Sequence, residues 1–139
     1  MKAIYLCCVV LLGLITTPAS AATTEDLIRQ VIDQNLDASQ REDSQAYMAT
    51  MHSQSLAWVP TKKAIQDIFG NYKLNYSLDQ FHYITQENEY AYARVWIRTT
   101  KVSGPTFHNN KLEALIVFKQ EGDTWKVWSQ ANMQIQYLD

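Results

Sequence analysis

Apolar and polar positions change period partway along this chain. Before about residue 72 the apolar residues recur every three or four positions, and from Asn75 onward they alternate. Leu27, Ile28, Val31, Ile32 and Leu36 make one stripe of an amphipathic helix. Thr23 or Thr24 is placed to cap that helix, and Glu25 and Asp26 in its first turn suit the positive helix end. Polarity rises over residues 37–43. A second short helix is predicted over 44–51, burying Tyr47, Met48 and Met51. Residues 56–59 read as a short strand stopped by Pro60. Thr61 then caps a third helix with the stripe Ala64, Ile65, Ile68 and Phe69, and Gly70-Asn71 ends it.

The second half reads as strands. Phe81, Tyr83 and Thr85 alternate with His82, Ile84 and Gln86, and Glu87-Asn88-Glu89 forms a turn. Over residues 90–98 one face carries Ala91, Ala93, Val95 and Ile97, small enough for helices to pack closely. The opposite face carries Tyr90, Tyr92, Arg94, Trp96 and Arg98, a composition that suits a partner surface. Ser103-Gly104-Pro105 is a loop. Leu112, Ala114, Ile116 and Phe118 alternate with Glu113, Leu115 and Val117, so this strand is apolar on nearly both faces, as a central strand would be. A tight Glu121-Gly122-Asp123 turn leads into a last strand over 125–136. Helices followed by an antiparallel meander describe an α+β fold, a curved sheet wrapped over a helical layer.

The first residues follow neither pattern. Lys2, an apolar stretch over 3–15 and Ala19-Ser20-Ala21 have the form of a signal peptide cleaved after residue 21. The apolar run is shorter than the roughly 18 residues a membrane span needs. A mature domain of residues 22–139, periplasmic or secreted and with no membrane attachment after cleavage, is therefore expected. Both cysteines, Cys7 and Cys8, lie in the leader, which leaves the domain without disulfide, thiolate ligand or thiol nucleophile. Twelve Lys and Arg against fourteen Asp and Glu are interspersed without a basic stripe, which argues against a nucleic-acid partner.

Several segments together resemble a known family. They are Arg41-Glu42-Asp43-Ser44-Gln45-Ala46-Tyr47, the aromatic-proline Trp58-Val59-Pro60, the helical Ala64-Ile65, the strand Tyr90-Ala91-Tyr92-Ala93-Arg94-Val95 and the hairpin Gly122-Asp123-Thr124-Trp125-Lys126-Val127. In order and spacing they are similar to the nuclear transport factor 2-like superfamily, in its SnoaL-like and ketosteroid-isomerase-like branch. The resemblance implies a cone: a strongly curved antiparallel sheet packed on three N-terminal helices, often a homodimer through the sheet. Members include isomerases, cyclases, dehydratases, epoxide hydrolases and non-catalytic binding or assembly domains, so the fold alone does not name a function. Catalytic members often carry His or Asp at alternating positions of the last strand. This chain has Ser129, Gln130, Ala131 and Asn132 there, none a good general acid or base at neutral pH.

The remaining candidates divide by chemistry. Glu113, a carboxylate in an apolar strand, would make a base if buried, but pairs with Arg94 or Arg98 if it faces outward. His52 is the second weak catalytic candidate. His52, His82 and His108 lack the short spacing of a metal site, and no metal or cofactor is expected. Ser53 and Ser55 beside His52 lack the strained turn of a nucleophilic serine, and scattered glycines exclude a phosphate-cradling loop. Tyr47, Trp58, Tyr83 and Asn132 are the candidate pocket residues, for an aromatic-lined site with few polar groups. The leading expectation is an exported domain that binds a small apolar or amphipathic molecule or serves envelope assembly. An enzyme of proton transfer, dehydration or cyclisation on a hydrophobic substrate is the alternative. A further one is an adaptor acting through the Tyr90, Tyr92, Arg94, Trp96 and Arg98 face.

Overall fold

The computed structural model describes residues 20–138, and the expected leader up to Ala19 lies outside them. Three helices precede four strands: α1 (Thr24–Gln40), α2 (Ser44–Ala49), α3 (Trp58–Asn71), β1 (Lys73–Glu87), β2 (Tyr90–Ser103), β3 (Asn110–Glu121) and β4 (Thr124–Tyr137). The strands form one antiparallel sheet in the order β1-β2-β3-β4. The sheet is open, and the architecture is the nuclear transport factor 2-like α+β cone.

Local chemistry explains most boundaries. Thr23 and Asp26 form a reciprocal capping box at the start of α1, the Asp26 amide donating to the Thr23 hydroxyl at 3.2 Å. Asp43 caps α2 by accepting from the Ala46 amide at 2.9 Å, after Glu42 turns the chain at φ +56°. The hairpin turns put Asn88 and Gly122 at positive φ, a region Asn and Gly tolerate best.

The α2–α3 connection departs from expectation. Residues 56–59 are not a strand. The helix begins at Trp58, so Pro60 sits in its first turn, where its missing N–H has no partner to lose. No side chain caps α3, neither Thr61 nor another; Ser55 instead braces the turn before it, its hydroxyl accepting from the Ala57 amide at 3.1 Å and its carbonyl from the Trp58 amide at 3.0 Å. At the other end Gly70-Asn71 supplies no left-handed stop; Tyr72 turns extended and feeds β1. The second helix also stops short, at Ala49, because Met51 leaves to form a parallel bridge with Val127.

The core lies between the helices and the inner face of the sheet. Ile28, Val31 and Ile32 of α1 join Met48, Met51 and Ile65 against Ala91, Ala93, Val95, Ala114, Ile116, Phe118, Trp125 and Val127. Of the stripe expected on α3, Ile65 and Phe69 pack inward, whereas Ala64 and Ile68 are exposed. α1 lies antiparallel along β1, held at one end by Thr24 on Gln86 and at the other by Gln40 on Leu74, Asn75 and Tyr76. Register shifts in β1 at Leu78/Gln80 and Tyr83/Thr85, and in the β3–β4 pair at Glu113/Ala114 and Val117/Phe118, bend the sheet around this layer.

Phe118 and Val95 are fully buried in that core. Phe118→Ala should cost about 3–5 kcal/mol in urea unfolding, the range for truncating a buried aromatic. Val102→Ala, at an exposed position, should stay within about 0.5 kcal/mol. Equal losses from the two would contradict this placement of the core.

Candidate ligand-binding site

Where the α1 stripe ends, the helical layer parts from the sheet and leaves a cavity of about 280 Å³. Its apolar wall is Ile32 and Leu36 from α1, Met51 and Ala57 from the α2–α3 connection, and Ile97, Ile116 and Val127 from the sheet. Six neutral polar side chains complete it: Asn35, Tyr47, Thr61, Ser129, Gln130 and Asn132. The volume lies near the lower end of small-molecule sites, roughly 300–1,000 Å³.

Several of the polar groups have a structural reason to face inward. Asn35 stands three residues after Ile32 on the inner side of α1, and its amide donates to the Thr50 hydroxyl at 2.8 Å. Thr50 donates in turn to the Tyr47 carbonyl at 2.7 Å, fixing the C-terminal end of α2. Gln130 and Asn132 pair across the ladder with Ile116 and Ala114, both buried, so both share the inner face. The Gln130 amide donates to the Asn132 carbonyl oxygen at 2.8 Å, orienting the two as one polar strip.

Tyr47 is the titratable member of this wall. Burial pushes its hydroxyl above the ordinary tyrosine range, with a hydrogen bond from Asn35 working the other way. Its ring meets Phe69 edge-on at 6.2 Å. Behind it, Tyr76 is pushed up to about 12 by burial first, and then by proximity to Tyr47 and Glu42. At neutral pH both are neutral hydroxyls, able to give and accept hydrogen bonds.

The residues singled out from the sequence fall in different places. Tyr47 and Asn132 stand in the cavity wall. Trp58 lines a separate groove between α2 and α3 with Met48, and the Lys62 ammonium lies 5.2 Å from its ring. Tyr83 packs from β1 against the core, away from the cavity lining. Glu113 is on the outer face of the sheet, 3.3 Å from the Arg94 guanidinium, and does not reach the cavity. Arg94 and Arg98 share that face, the latter bonded to Asp79 at 3.0 Å, and Trp96 lies between them along β2. Tyr90 and Tyr92 lie on the same side, Tyr90 edge-on to Trp128 at 6.5 Å.

His52 is buried outside the cavity. Its ring meets Trp128 edge-on at 5.0 Å, and its Nδ1 accepts from the Gln54 amide at 3.1 Å. Glu121 lies 3.6 Å from the same Nδ1. The Ser53 hydroxyl and amide both donate to Glu121, which with the nearby His52 and Lys126 holds that carboxyl below its usual range. Ser, His and Glu are adjacent here, but the serine donates to the carboxylate and not to the imidazole. This wiring braces a loop and activates no nucleophile.

Asn35, Thr61, Ser129 and Gln130 complete the wall beyond the residues expected. Asn35 had a readable signal, an amide within the α1 apolar stripe. Ser129 and Gln130 appeared only as departures from the residues of catalytic relatives.

The domain described as the C-terminal domain of the anti-sigma-I factor RsgI9 matches residues 30–138. The chain belongs to this family. No curated protein matches it in sequence. Among solved structures, a nuclear transport factor 2-like protein from Cytophaga hutchinsonii superposes with a TM-score of 0.68 at 16% identity, over 80% of this chain and 98% of that one. Bd1075 of Bdellovibrio bacteriovorus gives 0.65 at 14% identity over 76% of this chain, which spans only 38% of Bd1075. A scytalone dehydratase-like chain from Novosphingobium aromaticivorans gives 0.65 at 8% identity, over 79% and 84% of the two chains. At these identities the likeness establishes the fold alone: this chain has the nuclear transport factor 2-like cone.

The raised Tyr76 hydroxyl has a measurable consequence. The folded chain keeps that proton at a pH where the unfolded chain, titrating near 10.0, has lost it. Stability should therefore fall as pH rises from about 10 to about 12. Tyr76→Phe should make the fall shallower in urea titrations across that window. Identical slopes in the two proteins would remove Tyr76 from the buried network behind the cavity.

Proposed function

We propose that this member of the RsgI9 C-terminal family is an exported ligand-binding module whose cavity takes a small uncharged molecule with an apolar body and one or more hydrogen-bonding groups. The carrying observation is the composition of the wall: aliphatic side chains and six neutral polar groups, with no side chain that is charged at neutral pH. A charged ligand would lose part of its hydration there without a counter-charge, which disfavours it relative to a neutral one. A neutral amphipathic one would meet donors and acceptors on β4 and α1 and apolar surface on β2, β3 and α1. The leader-like residues 1–21 support export. The family's namesake, a terminal domain of an anti-sigma factor, supports a module that senses or binds. Proton-transfer chemistry gains little support, since His52 and Glu113 lie elsewhere and Tyr47 holds its proton tightly.

The test uses 2-naphthol and its carboxylate analogue 2-naphthoate as probes, read by NMR shift changes and calorimetry. The naphthol should bind with shifts centred on Tyr47 and Asn132. The naphthoate should bind about tenfold or more weakly, equivalent to roughly 1.4 kcal/mol of unpaired-charge cost. Thr61→Trp, which fills the cavity from α3, should abolish binding of both. Failure of the naphthol to bind, equal affinities, or binding that survives Thr61→Trp would each overturn the reading.

A further inference from the structure

The polar groups of the cavity differ in how much of their hydrogen-bonding capacity is already committed. Asn35 is engaged with the Thr50 hydroxyl at 2.8 Å, and Thr50 passes that bond on to the Tyr47 carbonyl at 2.7 Å. The hydroxyls of Tyr47, Thr61 and Ser129 can rotate to give or to accept, so they discriminate little between ligand groups. Gln130 and Asn132 are different. Their side chains bond to each other, the Gln130 amide donating to the Asn132 carbonyl oxygen at 2.8 Å. A bond between two amides consumes one N–H and one carbonyl. It leaves the Gln130 carbonyl oxygen and the Asn132 amide N–H groups for a ligand, an acceptor beside a donor.

The backbone presents this pair as a unit. Two register shifts against β3 interrupt β4, one at Trp128 and the other at Met133, each adding a residue that β3 does not match. Between them residues 129–132 run in unbroken register opposite residues 114–117. Bulges re-aim side chains and recur beside active sites. Here they bound a short stretch whose inward positions are the two amides, at the exposed rim of the cavity.

We propose that the Gln130 and Asn132 pair reads an amide group of the ligand, a lactam or carboxamide. Its N–H donates to the Gln130 carbonyl while its carbonyl accepts from the Asn132 amide. The inference rests on the binding role proposed above and narrows the neutral ligand to one class. An amide holds a donor and an acceptor on adjacent atoms, fixed in one plane. A hydroxyl offers both from a single oxygen, and a ketone or ester offers an acceptor alone. A ligand of either kind covering the rim would screen one amide end from water and leave it unpaired. That penalty favours the ligand that matches both ends.

Calorimetry with 2-quinolinone and coumarin tests it, two molecules of one shape in which the lactam N–H is exchanged for a ring oxygen. The quinolinone should bind about three- to tenfold more tightly, the worth of one hydrogen bond at a partly solvated site. Gln130→Met combined with Asn132→Leu should bring the two to equal affinity with unchanged melting, since both positions are exposed. Binding of 2-naphthol separates this inference from the reading beneath it. If the naphthol binds and the quinolinone and coumarin are equal, the amide assignment is overturned and the cavity's role stands. A preference for the quinolinone that survives the double substitution would also overturn it, placing the N–H acceptor elsewhere. If none of the three probes binds, both readings fall.

Discussion

Everything in this domain depends on one packing constraint: the apolar stripe of α1 and the inner face of the sheet must be buried together in one core. Ala91, Ala93 and Ala114 are fully buried, and they share the core with Ile28, Val31 and Ile32 of the helix. Close-packed interiors respond to single methylenes. Larger residues at the alanines would overfill this core, at a cost of about 1–3 kcal/mol, and Gln40 ties α1 to β1 at Leu74 and Tyr76 beside it. The clamp of α1 on β1 and the position of Asn35 in the wall both follow from that packing.

The cavity exists because the constraint is released farther along the strands. Past Val95 on β2 the inward residue is Ile97, partly buried, and past Val127 on β4 the inner face passes to Gln130 and Asn132. Large aliphatic and amide side chains there replace the alanine floor, and the layer of helices no longer fills the space. The polar groups are disposed in two strips, Asn35 and Tyr47 on the helical side and Ser129, Gln130 and Asn132 on the strand side. A ligand between them meets hydrogen-bonding groups on opposite walls and aliphatic surface elsewhere.

The sheet was legible in the sequence because burial on one face imposes a period of two that packing cannot disguise. Ala91, Ala93 and Val95 are fully buried and Arg94 is exposed, as the alternation requires. The α1 stripe and its cap were equally plain, with Leu27 exposed and Leu36 partly buried. The α2–α3 connection was not legible. The apolar run from Leu56 to Val59 looked like a strand, yet Leu56 is 95% exposed and Val59 is 72% exposed. Those residues are apolar without being core, and no periodicity argument distinguishes the two. Pro60 can end an element, but in the first turn of a helix it begins one. The cavity wall was half legible, because neutral amides carry no chemical signature until a fold brings them to one surface.

The same cone serves enzymes and binding domains, and here the difference can be reduced to a few side chains. On the last strand the inward-facing positions opposite Ile116 and Ala114 hold the amides Gln130 and Asn132. An amide offers a carbonyl acceptor and two N–H donors but has no proton to exchange near neutral pH. Replacing a base by an amide keeps the hydrogen-bonding geometry for a ligand and removes the step that would turn it over. Tyr47 does not compensate, since burial favours its neutral hydroxyl and makes it a poorer base than a solvated tyrosinate. Under the proposed binding role the wall would hold a molecule in one orientation, and a single titratable side chain at the Asn132 position is the smallest change that would add proton exchange near neutral pH.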